Sequence, residues 1–186
     1  LNITNLAWPT NAWDAANKAY VDQITNGIAL GFNNATNYMS LLITNLYDQL
    51  KVRSYLSSSQ TIPQKTWTKV LFDAKEYDDH GVFDTATSRF MVTNRPGFYQ
   101  VITSVRYAGS SQGDVREVAI YKSGELHTYG TTAAVSGPGV RGAQATDVVE
   151  MGTNDYMEIY TYQDSNGNLD VVGGRAFTYV LIYRLN

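Results

Sequence analysis

Few residues in this chain carry side chains suited to chemistry. Of 186 residues none is cysteine and two are histidine. Thiolate nucleophiles, thiolate metal sites and disulfides are therefore excluded. His80 lies in Tyr77-Asp78-Asp79-His80-Gly81, a surface-turn sequence, and the Asp78–Asp79 pair beside it is a first candidate for a metal ion. His127 sits two residues before Tyr129 on a predicted strand, and neither histidine has a nucleophile elbow near it. The segment Asp164-Ser165-Asn166-Gly167-Asn168-Leu169-Asp170 alternates oxygen-bearing side chains around a glycine. That is the pattern of a calcium loop, but the closing Glu is missing and the flanks are strands, so a hairpin loop with Asn-Gly turn chemistry is expected. Calcium is the one cofactor left open. The glycine-rich stretches 136–139 and 172–174 lack the following Lys-Ser/Thr of a phosphate loop. The expectation is a binding protein, not an enzyme.

Bulk composition narrows the partners. Net charge is −3, from 14 basic and 17 acidic residues, with no Lys/Arg cluster, so the basic footprint that nucleic acid needs is missing. No run of 18 apolar residues exists, so no membrane-inserted helix is expected. Charged residues make up only 17% and tyrosine reaches 14 copies, a surface chemistry that suits an extracellular or virion-exposed protein. The chain begins at Leu1, and an upstream attachment is expected.

Three zones and a joint position these residues. Residues 1–13 are irregular, with Pro9 breaking any helix. Residues 14–56 read as helix, with Asp14 as N-cap. Residues 57–63 form a Ser-rich linker closed by Pro63, and residues 64–186 read as strands and turns. Within the helical zone Val21, Ile28, Phe32, Ala35, Met39, Leu42 and Leu46 recur at steps of seven, four and three. That is a heptad seam, too narrow to bury itself in one helix. Gly27 and Gly31 each cost about 1 kcal/mol in a helix interior, so order must come from association. A parallel coiled-coil stalk roughly 60 Å long is expected; one amphipathic helix packed on the strand zone is the alternative.

The strand zone alternates with period two between glycine turns. Predicted strands are Trp67–Phe72, Arg89–Val92, Gly97–Tyr107, Arg116–Lys122, Glu125–Thr131, Ala145–Met151, Tyr156–Tyr162 and Arg175–Arg184. This pattern predicts a mainly β protein, a sandwich or barrel. The last strand is apolar on both faces: Phe177, Tyr179, Leu181, Tyr183 and Leu185 on one, Ala176, Val180 and Ile182 on the other. One face fills the core; the other needs cover, which a subunit interface would supply.

Antiparallel order then locates a binding end. The last strand should finish where the first begins, beside the stalk. The loops 109–114, 136–142 and 164–170 should gather at the opposite tip. There Tyr107, Tyr129 and Tyr162 are candidates to stack on sugar rings, and Asp164, Asn166 and Asn168 to bond hydroxyls.

The stretch Val70-Leu71-Phe72-Asp73, then Tyr77-Asp78, Phe83-Asp84, Thr87-Ser88-Arg89-Phe90 and Pro96-Gly97-Phe98-Tyr99 resembles the opening of complement C1q-like (tumour-necrosis-factor-like) domains. Ser88 stands where that family usually has Gly. Gly152-Thr153-Asn154-Asp155 followed by Tyr156-Met157-Glu158-Ile159 resembles the family's Gly-Asp turn and strand, with two extra residues. Phe177-Thr178-Tyr179-Val180-Leu181-Ile182-Tyr183 resembles its closing strand, with Tyr179 in place of Gly. The resemblance implies a ten-stranded jelly-roll head, inward-facing Phe90, Tyr99 and Phe177, assembly as a homotrimer on a trimeric stalk, and in some members calcium near the tip. A second segment, Asp14-Ala15-Ala16-Asn17-Lys18-Ala19-Tyr20-Val21-Asp22, is similar to one that recurs in bacteriophage tail-fibre and receptor-binding proteins, where it opens a trimeric coiled coil. Together they imply a virion-borne fibre tip, joined to upstream fibre components, whose trimeric head recognises a host surface molecule, a glycan above all. The alternative is a structural virion decoration or trimerisation module with no receptor of its own.

Overall fold

A computed structural model describes residues 18–47, 49–109, 115–133 and 141–185. The chain divides into two compact units, Leu1–Asp48 and Gln49–Asn186.

The first unit contributes one helix, α1 (Lys18–Tyr47). The expected cap, Asp14, lies outside the described residues. All its described side chains from residue 20 to 43 are exposed in the single chain. The seam residues are strongly so: Phe32 at 71%, Met39 at 56% and Ile28 at 55%. Val21 and Leu42 are exposed as well, as is Ala35. The side chain of Leu46 lies outside the described set.

The helix ends well short of residue 56. Lys51–Tyr55 is a strand, β1, and not the last turns of the stalk. The reason lies in alternation and pairing. Val52 and Ser54 face inward and are fully buried, while Lys51, Arg53 and Tyr55 face the other way. Sheet pairing on both sides of the strand supplies a cooperative set of hydrogen bonds that a continued helix would forfeit.

Twelve further strands follow: β2 (Gln60–Ile62), β3 (Thr68–Lys69), β4 (Ala74–Asp78), β5 (Phe83–Asp84), β6 (Arg89–Met91), β7 (Gly97–Tyr107), β8 (Val115–Lys122), β9 (Glu125–Ala133), β10 (Arg141–Met151), β11 (Tyr156–Gln163), β12 (Leu169–Val171) and β13 (Tyr179–Arg184). The expected linker 57–63 thus contains β2, and the expected strand Trp67–Phe72 shortens to β3. Sheet A runs β2-β12-β7-β13-β1-β4, with β10 on the other side of β7. Sheet B runs β5-β6-β11-β8-β9, with β3 on β11. Every pairing recorded is antiparallel.

The two sheets face each other across one apolar core. From β7 it takes Tyr99, Val101, Val105 and Tyr107; from β10, Ala143, Val149 and Met151; from β8 and β11, Val118, Ile120, Met157 and Ile159. Phe90 meets Tyr99 edge to face at 5.2 Å, a favoured geometry for aromatic pairs. Phe177, expected with them, is instead 37% exposed beneath the Arg106 guanidinium. It lies before β13 begins, in a turn where Phe177 N–H bonds to the Gly174 carbonyl, so strand alternation does not apply to it.

Two close approaches shape the sandwich. At Gly130 on β9 a Cβ would stand 1.8 Å from the Gln144 carbonyl oxygen on β10, so the sheets nearly touch along this edge. Ser88, where the resemblance expects glycine, has φ +48° and is buried, its hydroxyl donating to the Phe72 carbonyl at 3.2 Å. A glycine would enter that left-handed conformation without steric cost.

The position of β1 decides where the head can be cut. A chain lacking residues 1–48 keeps β1 between β13 and β4 and should give a β-type circular dichroism spectrum with a cooperative melt. A chain lacking residues 1–56 loses the central partner of both strands and should melt non-cooperatively or fail to fold.

Candidate receptor-binding surfaces

The strand registers bring one set of loops to a single end of the sandwich. Tyr107 on β7 pairs with Arg141 at the start of β10, Val115 at the start of β8 pairs with Ala133 at the end of β9, and Arg116 pairs with Gln163 at the end of β11. The opposite end holds Leu50, whose carbonyl accepts from Arg184 N–H at 2.9 Å. The last strand therefore finishes where the head begins. Of the three tip loops, residues 110–114 and 134–140 lie outside the described set. The third, 164–170, is described throughout.

That loop is built from below by buried polar side chains. Gln163, fully buried, donates to the carbonyls of Ile62 at 3.1 Å and Gly167 at 2.9 Å and accepts from Ser165 N–H at 2.7 Å. Asp164 accepts from Val115 N–H at 2.9 Å and stands 3.4 Å from the Arg116 guanidinium. Asp170 accepts from the Thr61 hydroxyl at 2.6 Å. Asn166 and Asn168 remain exposed. Asp164 is thus committed to the start of β8, and Asn166 and Asn168 are the loop residues open to a ligand.

Tyr107 is not a surface residue. It is fully buried, and its hydroxyl lies 2.9 Å from the Tyr162 carbonyl and 3.1 Å from the Glu117 carbonyl. The Thr161 hydroxyl, bonded to it, donates to Glu117 at 2.6 Å. Burial pushes the Tyr107 phenol up to about 12, with the Thr161 bond and the nearby Arg116 acting the other way. Tyr107 ties β7 of sheet A to β8 and β11 of sheet B, and cannot stack on a sugar.

Tyr129 and Tyr162 sit on the outer face of sheet B. On β11 the inward residues are Met157, Ile159, Thr161 and Gln163, so Tyr156, Glu158, Tyr160 and Tyr162 face outward. Tyr160 lies opposite Ala119 on β8, and Ala119 lies opposite Tyr129 on β9. Trp67 stands 5.5 Å from Tyr162, and Tyr121 stands 4.4 Å from Tyr160, ring to ring. Arg89 covers the Tyr156 ring at 4.3 Å. Trp67, Tyr121, Tyr156 and Tyr160 were not among the sequence candidates, although the i, i+2 spacing of tyrosines on β11 is their signal.

Glu158 organises this face. Its carboxylate is 4% exposed and accepts from Lys69 Nζ and Arg89 Nε, each at 2.6 Å. Burial acts to raise its pKa, but those two bonds outweigh burial and hold it below the 4.5 usual for a glutamate.

The remaining candidates are structural anchors. Asp78 accepts from Lys75 Nζ at 2.9 Å and from the N–H groups of Val82 and Phe83 at 3.0 and 3.1 Å. Asp79 pairs with Lys51 at 3.4 Å. His127 stands 3.5 Å from Asp147. Among the described residues no group of three His, Asp or Glu side chains is placed to hold a metal ion. A cavity of about 520 Å³ opens near Leu50, lined by Val82, Asp84, Met91, Val92 and Tyr99 among others, with no Ser, Cys or Lys in its wall.

Two outcomes follow. Tyr107→Phe removes a buried hydroxyl and should lower stability by about 1–2 kcal/mol, a drop of roughly 3–8 °C in melting midpoint by calorimetry, while leaving any surface binding intact. The depressed Glu158 pKa gives stability that is present above pH 4.5 and lost as pH falls through the lower folded value. Glu158→Gln should therefore cost about 2 kcal/mol at pH 7 and flatten the loss of melting temperature between neutral and acid pH.

No family model and no curated protein matches the sequence. Solved structures do match in shape. The Eiger TNF of S. frugiperda superposes with a TM-score of 0.56 at 9% identity, covering 74% of this chain and 93% of that one. Murine APRIL gives 0.55 at 11%, covering 74% and 100%. The globular domain of zebrafish complement 1qA gives 0.51 at 13%, covering 73% and 96%. At such identities the likeness is one of fold, and the fold of the strand unit is the C1q/TNF-like jelly-roll sandwich.

Proposed function

We propose that this chain is the receptor-facing end of a bacteriophage fibre, a homotrimer in which α1 forms a coiled-coil stalk and the jelly-roll head recognises a glycan on the host surface. It acts by binding, without catalysis, on the virion exterior.

The observation that carries this reading is apolar surface with no partner in either unit. The helix exposes a heptad seam. In the head, the outer face of sheet A carries an apolar patch too. Leu181 on β13 lies opposite Ile102 on β7, and Tyr183 lies opposite Gln100, whose other neighbour is Val148 on β10. Phe98 is 52% exposed and Val148 45%. Monomers seldom leave contiguous apolar patches of this kind in water. A helical seam and a sheet face on one short chain are both covered if three copies associate through both. The similarity of residues 14–22 to phage fibre segments supports the viral setting. The loop at the tip, with Asn166 and Asn168 held outward by Gln163, supports recognition there. Three copies add weak contacts through avidity.

Light scattering should return a particle about three times the 20.6 kDa chain mass. Leu181→Arg, which places a charge in the apolar sheet face, should release folded heads from chains lacking residues 1–48 as monomers. Labelled trimer should then adsorb saturably to some strains in a panel of bacteria. A monomer at micromolar concentration would sink the assembly, and a trimer that adsorbs to none would leave a structural virion module.

A further inference from the structure

The two outer faces of the head differ in chemistry, and the face of sheet B has not been given a role by the tip-loop reading. It carries Trp67, Tyr129, Tyr160, Tyr162 and Tyr121 on four neighbouring strands or strand ends. Ala119 sits among them on the same face. It is fully covered, although it points away from the core. Its larger neighbours on the flanking strands cover it, and the rings of this face pack tilted on one another, Tyr121 on Tyr160 at 42° and Trp67 on Tyr162 at 39°.

Lys69 and Arg89 on this face both bond Glu158, so an anionic ligand finds these cations engaged. Glu117 accepts from the Thr131 hydroxyl at 3.1 Å. An uncharged ligand with flat, weakly polar C–H faces and a rim of hydroxyls meets what the surface offers: electron-rich ring faces and a border of phenols, a carboxylate and threonines.

We infer that the outer face of sheet B, centred on Tyr160 and Tyr129, is a stacking platform for an uncharged saccharide chain. This rests on the glycan-recognition reading above and moves its main contact from the tip loops to the flank. Tyr129, 57% exposed, is the most open ring of the platform. Trp67 gives a built-in reporter, because the other tryptophans of the chain are Trp8 and Trp13.

The experiment uses the full chain carrying Trp8→Phe and Trp13→Phe, titrated with neutral hexasaccharides of glucose, galactose and N-acetylglucosamine. At least one should shift the Trp67 emission saturably, with saturation transfer reporting contact to tyrosine ring protons. Tyr129→Ala, which removes no core packing, should weaken binding about tenfold, the loss of one stacked ring. Tyr160→Ala should do at least as much, with folding of both checked by their melts. Asn166→Ala with Asn168→Ala is the tip-loop comparison, and a loss of the shift as large as that of Tyr129→Ala would put the main contact at the loop and overturn the platform. The platform is overturned if no neutral saccharide moves the signal, or if Tyr129→Ala and Tyr160→Ala leave affinity unchanged. It is also overturned if bacterial adsorption is abolished by protease treatment of the cells and spared by periodate, which would make the occupant a protein. Adsorption that survives both tyrosine variants and fails in the asparagine variant would remove the platform and keep the receptor reading. Adsorption by no variant and no wild-type chain would remove both.

Discussion

A two-sheet sandwich buries one face of each sheet in a shared core, and the chain must deal with the two faces left over. Here that constraint governs the head. The inner faces are filled by Val, Ile, Leu, Met and five large aromatics, Phe72, Phe83, Phe90, Tyr99 and Tyr107. At the loop end the core is closed by a hydroxyl. Tyr107 reaches from the last residue of β7 to backbone carbonyls of β8 and β11, so the sheets are pinned where the loops leave them. The joint adds to the backbone pairing that sets the register there.

The leftover faces are resolved in different ways. Outside sheet A an apolar patch of Phe98, Ile102, Val148 and Leu181, with tyrosines beside it, is bordered by polar and charged side chains such as Gln100, Arg106 and Glu150. Such a surface gains most by losing water altogether, at about 25 cal/mol per Å² buried, and suits a second copy of the chain. Outside sheet B the large side chains are mostly aromatics with polar tips, joined by Leu126 and Met91, and the buried Glu158 with its two cations lies among them. The head thus presents two outer faces of different chemistry, and the proposed assembly and recognition roles fall on different ones.

Much of this was legible in the sequence where alternation is long and unbroken. Gly97–Tyr107 was read to the residue, because eleven positions of period two leave little ambiguity. The apolar surplus on β13 was legible for the same reason. Lys51–Tyr55 was not, since five residues after a heptad pattern are too few to show a change of period, and what makes them a strand is pairing with residues 19 or more positions away. Phe177 failed because a turn, invisible in the pattern, interrupts the expected strand. Alternation also says which residues share a face without saying which face is inside, so Tyr107 was grouped with two surface tyrosines. The platform residues were hidden by the same limit: Tyr156, Tyr160 and Tyr162 are adjacent in pattern, but Trp67 and Tyr129 join them only through sheet order.

The loop at 164–170 shows why residue type alone misleads about recognition. Asp164 has the carboxylate that a sugar-binding site would want, yet its oxygen is bonded to Val115 N–H. Removing it would release the start of β8, so any loss of binding in that variant would report on the fold as much as on a contact. Asn166 and Asn168 carry no such duty. A loss confined to them would speak for the ligand directly. The same distinction separates Tyr129 from Tyr107: one ring is held on an open strand and can be cut away cleanly, the other is a structural joint. In a head this small, the residues that can report on binding are those the core does not need.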